Sequence, residues 1–172
     1  MAFIIEKHDP AWSTKFETEA NVVREVFGAV MSAIHHIGST AIPNICAKPI
    51  IDMLVEVESL DALDERTSII EGEGYEALGE FGIPGRRYFR KDNSTGKREY
   101  QIHAFVADSL ELDRHIAFRD YLRSHSSIAK EYSDLKVRLA KQHPSDLEAY
   151  INGKDPFIKS TEKAALAWWS ST

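Results

Sequence analysis

Asp52 is a carboxylate inside an otherwise apolar run, residues 50–57, Ile-Ile-Asp-Met-Leu-Val-Glu-Val. A charge in a strand must be paired, bound to a cation or open to a cleft, because desolvating it alone is costly. Upstream, Gly38-Ser39-Thr40 forms a turn of small residues, where backbone N–H groups can approach a phosphate and two hydroxyls add donors. The stretch 34–57 therefore combines features of an anion site and of a cation site. Strand alternation points Asp52, Leu54 and Glu56 to one side and Ile51, Met53 and Val55 to the other. In the run 98–106, Gln101 and His103 lie on the polar side. With both runs in one sheet, Asp52 and His103 are expected to share a face. Such a pair can bind a divalent cation, act as base and orienter, or do no more than satisfy two half-buried groups, and the residues alone leave these open. Glu56, about 13 Å further along the strand, cannot share an ion with Asp52 and is expected to be a solvated strand end.

Other residues invite chemical readings. Lys48 precedes Pro49, which sets an extended entry to the Asp52 strand; the lysine either neutralises a phosphate or is a surface charge at a loop end. Arg86, Arg87, Arg90, Lys91, Lys97 and Arg98 form a basic cluster on two arms of an expected hairpin. They read as a triphosphate clamp, a local nucleic-acid contact, or a solvated hairpin that resists edge pairing. Arg119 and Lys136 lie in helical runs, with Asp120 close enough to Arg119 for a local ion pair. His35 and His36 fall on opposite faces of a strand, so at most one joins a given site. P-loop, Rossmann, zincin and α/β-hydrolase motifs are absent from the sequence.

The elements that must position these residues follow from the pattern. Asp9-Pro10 opens a helix with Phe16, Ala20, Val23 and Phe27 on one stripe. Strands are expected at 30–37 and 50–57, a helix at 60–71, a short strand at 75–79, and a hairpin of 87–91 with 98–106. Helices are expected at 110–124 and 127–142, then a short one capped by Ser145 to about Ile151, and a last one from Asp155-Pro156. This order predicts a single α+β domain, residues 1–172, with a mixed sheet covered by helices on one face and a helical C-terminal part. The net charge of −6 does not favour general nucleic-acid binding. One cysteine, Cys46, fits a reducing cytoplasm and excludes an internal disulfide. No apolar run approaches a membrane span, and residues 1–10 lack the character of a signal peptide.

The stretch HIGSTAIPNICAKPIIDMLVEV resembles the signature of the GrpB family, placed in the nucleotidyltransferase superfamily. The resemblance continues through RRYFRK, QIHAFV, AFRDYLR and the segment Tyr132–Lys136. It implies a nucleotidyltransferase-like palm in which Gly38 and Ser39, with Thr40, Lys48 and Arg87, hold the phosphates of an NTP. Asp52 and His103 would be the catalytic and metal-site residues, with Mg or Mn as the cation. The implied activity is transfer of a nucleotidyl group to an unidentified small acceptor; the alternative is non-catalytic binding of a nucleotide or phosphate ligand. A third possibility is another metal-assisted reaction at Asp52 and His103. The sequence departs from the superfamily pattern where a second metal-site Asp belongs: Leu54 stands there.

Overall fold

The computed structural model describes residues 4–171. A long helix, α1 (Ala11–Phe27), is followed by the antiparallel strands β1 (Met31–Ile37) and β2 (Ile51–Val57). Two short helices come next, α2 (Leu60–Asp64) and α3 (Thr67–Gly72). Then come strands β3 (Glu76–Ala77), β4 (Arg87–Asp92) and β5 (Arg98–Val106). Helices α4 (Leu110–Ser124), α5 (Ser126–Gln142) and α6 (Leu147–Ser170) complete the chain. The sheet order is β1-β2-β5-β4-β3, with β2 and β5 parallel and the other pairs antiparallel. This is the expected α+β class with a mixed sheet and a helical C-terminal part.

Period-two alternation sorts the sheet into two faces. Met53, Val55, Ile102 and Ala104 pack with Phe16, Ala20, Val23 and Phe27 of α1, the stripe read from the sequence. The other face is not left bare. Its Ile37, Leu54 and Phe105 are buried with Leu112, and Ile116 packs against them from α4. Leu54 is 0% exposed, so the position two after Asp52 belongs to a hydrophobic core.

Several expected boundaries differ; the strand expected at 75–79 is only Glu76–Ala77. The helix expected at 60–71 is broken, because the Thr67 hydroxyl donates to the Asp64 carbonyl (2.7 Å) and ends α2 there. The cap of α6 is Asp146, whose carboxylate accepts from the Ala149 N–H (3.0 Å), not Ser145. The two helices expected on either side of Pro156 are one helix, α6. Pro156 is exposed, as is Asn152 one turn before it, so the carbonyl deprived of its N–H partner lies on a face open to water. Among the described residues no helix is long and apolar enough to cross a membrane.

Candidate functional site

Gly38 closes β1 at φ 76° and ψ −174°, a conformation that glycine adopts without strain. A Cβ there would stand 2.8 Å from Asp52 Oδ2. The turn and the carboxylate are thus in direct apposition, as the register Ile37↔Asp52 requires. Residues 39–41 form a 3-10 turn in which Ala41 and Ile42 donate back to Gly38 and Ser39, leaving the N–H groups of Ser39 and Thr40 without acceptors inside the turn. The Thr40 side chain is committed elsewhere: its hydroxyl accepts from His36 Nε2 (2.9 Å) and faces the Ile50 carbonyl. Burial and the nearby Arg123 push His36 down to about 4, so it acts here as a neutral packing group against Phe16. Two α4 arginines grip the turn from outside. Arg119 donates to the His36 carbonyl (3.1 Å) and Arg123 to the Ala41 carbonyl (2.9 Å), contacts that no local pattern announces.

Parallel pairing sets Leu54 opposite His103 and Asp52 opposite Gln101. His103 Nε2 lies 3.1 Å from Asp52 Oδ1. Arg86, buried among the Glu80 and Phe81 carbonyls, points Nη1 at His103 Nδ1 (3.2 Å). A guanidinium only donates, so Nδ1 is the acceptor and the ring proton sits on Nε2, donated to Asp52. Both ring nitrogens of His103 are thus engaged, Nδ1 by Arg86 and Nε2 by Asp52. Among the described residues no three His, Cys, Asp or Glu side chains converge to hold a metal ion. A two-metal centre does not fit this donor set: the position expected for a second acid is the buried Leu54.

A cavity of about 210 Å³ opens in front of Asp52. Its rim is the Gly38–Thr40 turn and Gln101; its walls carry Lys48, Lys136 of α5 and Lys154 of α6. Lys136 is 2% exposed, and its ammonium nitrogen has no hydrogen-bond partner among the described residues; it lies 4.5 Å from the Tyr132 ring centroid. Burial, reinforced by the ammonium of Lys154, lowers Lys136 to about 7. Burial and Lys48 lower Lys154 to about 8. Lys48 is also lowered by burial, with Asp52 pulling the other way. Lys48 and Lys154 both lie over the Tyr150 ring, at 5.5 and 4.5 Å from its centroid. Burial pushes the Tyr132 phenol up to about 12, against the opposing pull of the Ser39 hydroxyl beside it. Gathering like charges around a small buried space is unfavourable unless an anion joins them.

The structure therefore brings together Gly38, Ser39, Lys48, Asp52 and His103. Thr40 joins through its backbone. Arg87 does not join: it makes a bidentate ion pair with Asp64 (2.8 and 3.0 Å) beyond the other face of the sheet. Its strand alternation explains this, since Arg87 pairs with Ala104, a core residue of the α1 face. Arg90, Lys91 and Arg98 pair with Glu76, Glu19 and Asp92, so these three of the basic cluster are engaged in ion pairs, while Arg86 turns to His103. Glu56, expected to be solvated, pairs with His35 (2.7 Å). Lys154 and Tyr150 escape sequence reasoning because NGKDP reads as a break between helices; Lys136 is visible only as one residue of the resembling segment Tyr132–Lys136.

A mixed-sheet α+β domain with a glycine turn, a strand carboxylate and a lysine-walled cavity defines the class. Residues 2–164 match the family profile described as GrpB protein. The chain belongs to the GrpB family. It is 47% identical to the UPF0157 protein YqkA of Bacillus subtilis over 94% of this chain and 46% of that protein, so it spans about half of that relative's length. It is 34% identical to the glutamate-rich protein GrpB of Alkalihalophilus pseudofirmus, over 90% of this chain and 91% of that one. The crystal structure of the conserved protein GrpB from Enterococcus faecalis superposes with a TM-score of 0.92 at 43% identity, covering 96% of this chain and 99% of that chain.

Proposed function

We propose that this chain binds the phosphate chain of a nucleoside triphosphate in the cavity walled by Lys48, Lys136 and Lys154. One observation carries the reading: among the described residues the buried Lys136 amine has no hydrogen-bond partner, and it lies in a cavity that two further lysines line. The Ser39 and Thr40 N–H groups supply donors at the rim. A cavity of about 210 Å³ has room for a phosphate chain. The resemblance to nucleotidyltransferases supports the same ligand class.

Titration calorimetry with the four ribonucleoside triphosphates and with inorganic tripolyphosphate tests this. The expected result is binding of all five, since the phosphate chain carries the affinity. Lys154→Ala should weaken it by about 10- to 100-fold, the size of a lost charge-assisted hydrogen bond. Absence of binding by any of them overturns the reading.

Transfer of the nucleotidyl group is a second reading, favoured by the geometry of Asp52. His103 occupies Oδ1, and Oδ2 faces the Gly38 turn. In that reading an acceptor hydroxyl gives its proton to Asp52 as its oxygen bonds to the α-phosphorus, and pyrophosphate leaves with the electron pair of the broken bond. His103 and Arg86 orient the carboxylate. Pyrophosphate release that depends on an acceptor and disappears in Asp52→Asn supports transfer; triphosphate binding without release leaves binding as the function.

A further inference from the structure

Asp52 is shared by two cavities. Behind it, away from the lysines, lies a second space of about 260 Å³ that also has Gly38 and Phe118 in its wall. Its character is the reverse of the first. Ile37, Phe118 and Ile158 make it largely apolar, and its charged lining consists of Asp52, Glu162 and Arg114. Arg114 is held by both Glu162 and Glu111, so its charge is already offset. Two carboxylates against one guanidinium line the cavity; adding Glu111 and Arg86 behind them gives three against two. One negative charge remains in excess on this side either way, Asp52 being shared with the lysines of the first cavity. The two imidazoles do not change the sign: burial holds His115 down to about 4 with Nδ1 on the Glu111 carbonyl, and His103 is engaged by Arg86 and Asp52.

We propose that this second cavity is the acceptor site, and that it takes a small amino alcohol with an apolar body, its ammonium facing Glu162 and its hydroxyl facing Asp52. The inference rests on the nucleotide reading of the first cavity and adds the identity of the second substrate class. Segregated charge is what a two-substrate site of this kind requires: a polyanion on the lysine side, a cation on the other, and the lone carboxylate between them. An apolar wall beside a partly desolvated carboxylate prefers an ammonium to a neutral group of the same shape and rejects an anion.

The wild-type protein is titrated with 2-amino-1-phenylethanol, 1-phenylethanol and mandelate, each with and without ATP. The amine is expected to bind about tenfold more tightly than the neutral alcohol, and mandelate not measurably. Glu162→Gln should bring the amine to the level of the alcohol. Ile158→Trp, which fills the cavity from an apolar wall, should abolish amine binding and leave ATP binding unchanged, with circular dichroism reporting the fold of both variants. Equal binding of amine and alcohol in the wild type, or no binding of the amine, overturns the proposal without touching the triphosphate reading. Amine binding by a protein that binds no triphosphate overturns the acceptor role together with that reading.

Discussion

At the scale of single residues, the lysines of the first cavity tie ligand affinity to pH. An anion prefers the charged amines, and the unliganded protein holds Lys136 near 7 and Lys154 near 8. Triphosphate affinity is therefore expected to fall as pH rises from 6 to 9. Binding near pH 7.5 should take up protons, seen as a calorimetric enthalpy that changes with the buffer's ionisation enthalpy. Lys136→Met should flatten the lower part of that profile. The sign reverses for stability of the unliganded protein. Between the folded values and the ordinary lysine value of 10.5 the unfolded chain binds more protons, so stability should rise with pH through that window, as thermal melts would show. Asp52→Asn removes the one negative charge facing the lysines. At pH 6.5, where the amines stay charged, it should tighten tripolyphosphate binding by up to about tenfold. Weakened binding would show instead that Asp52 takes part in holding the ligand. Gly38→Ala meets a positive φ and the Asp52 carboxylate together, and should lower stability by about 1–3 kcal/mol in denaturant melts.

At the scale of elements, the apolar stripe of α1, the strand alternation and the bounds of α4 were legible because each is set by a pattern local in sequence. The continuity of α6 was not. Asn-Gly-Lys-Asp-Pro carries every local sign of a break, yet the helix persists because packing outweighs propensity. Gly153 lies against Leu139 of α5 so closely that a Cβ would fall 2.5 Å from Leu139 Cδ2, and Tyr150, Thr161 and Ala165 are buried on either side of the proline. Pro156 stays as a defect on the solvent side. Pro156→Ala should restore a helical hydrogen bond and raise stability by about 1–2 kcal/mol, the interior penalty of proline reduced by the freedom the unfolded chain regains. Differential scanning calorimetry checks this; a lower melting temperature would mean that Pro156 itself helps to seat Tyr150.

At the scale of the molecule, half of the candidate site was readable and half was not. Asp52 and His103 could be placed together because alternation in two strands assigns faces, and the Gly38 turn through its nearness in sequence and the family resemblance. The lysine wall could not, because it depends on how α5 and α6 lie across the sheet, a matter of tertiary packing. Arg87 went astray for a related reason: one register position decides which face a strand residue serves. The same distribution has a kinetic consequence. The site is closed by helix contacts far apart in the chain: His36 with Arg119 across 83 positions and Cys46 with Ser133 across 87. Such loops close late, since their entropy is lost before any contact rewards it. A chain that has formed its strands but has not docked α5 and α6 has no ligand cavity. In a refolding experiment, the ability to bind tripolyphosphate should therefore return after the sheet signal, which makes the ligand a reporter of the last step of folding.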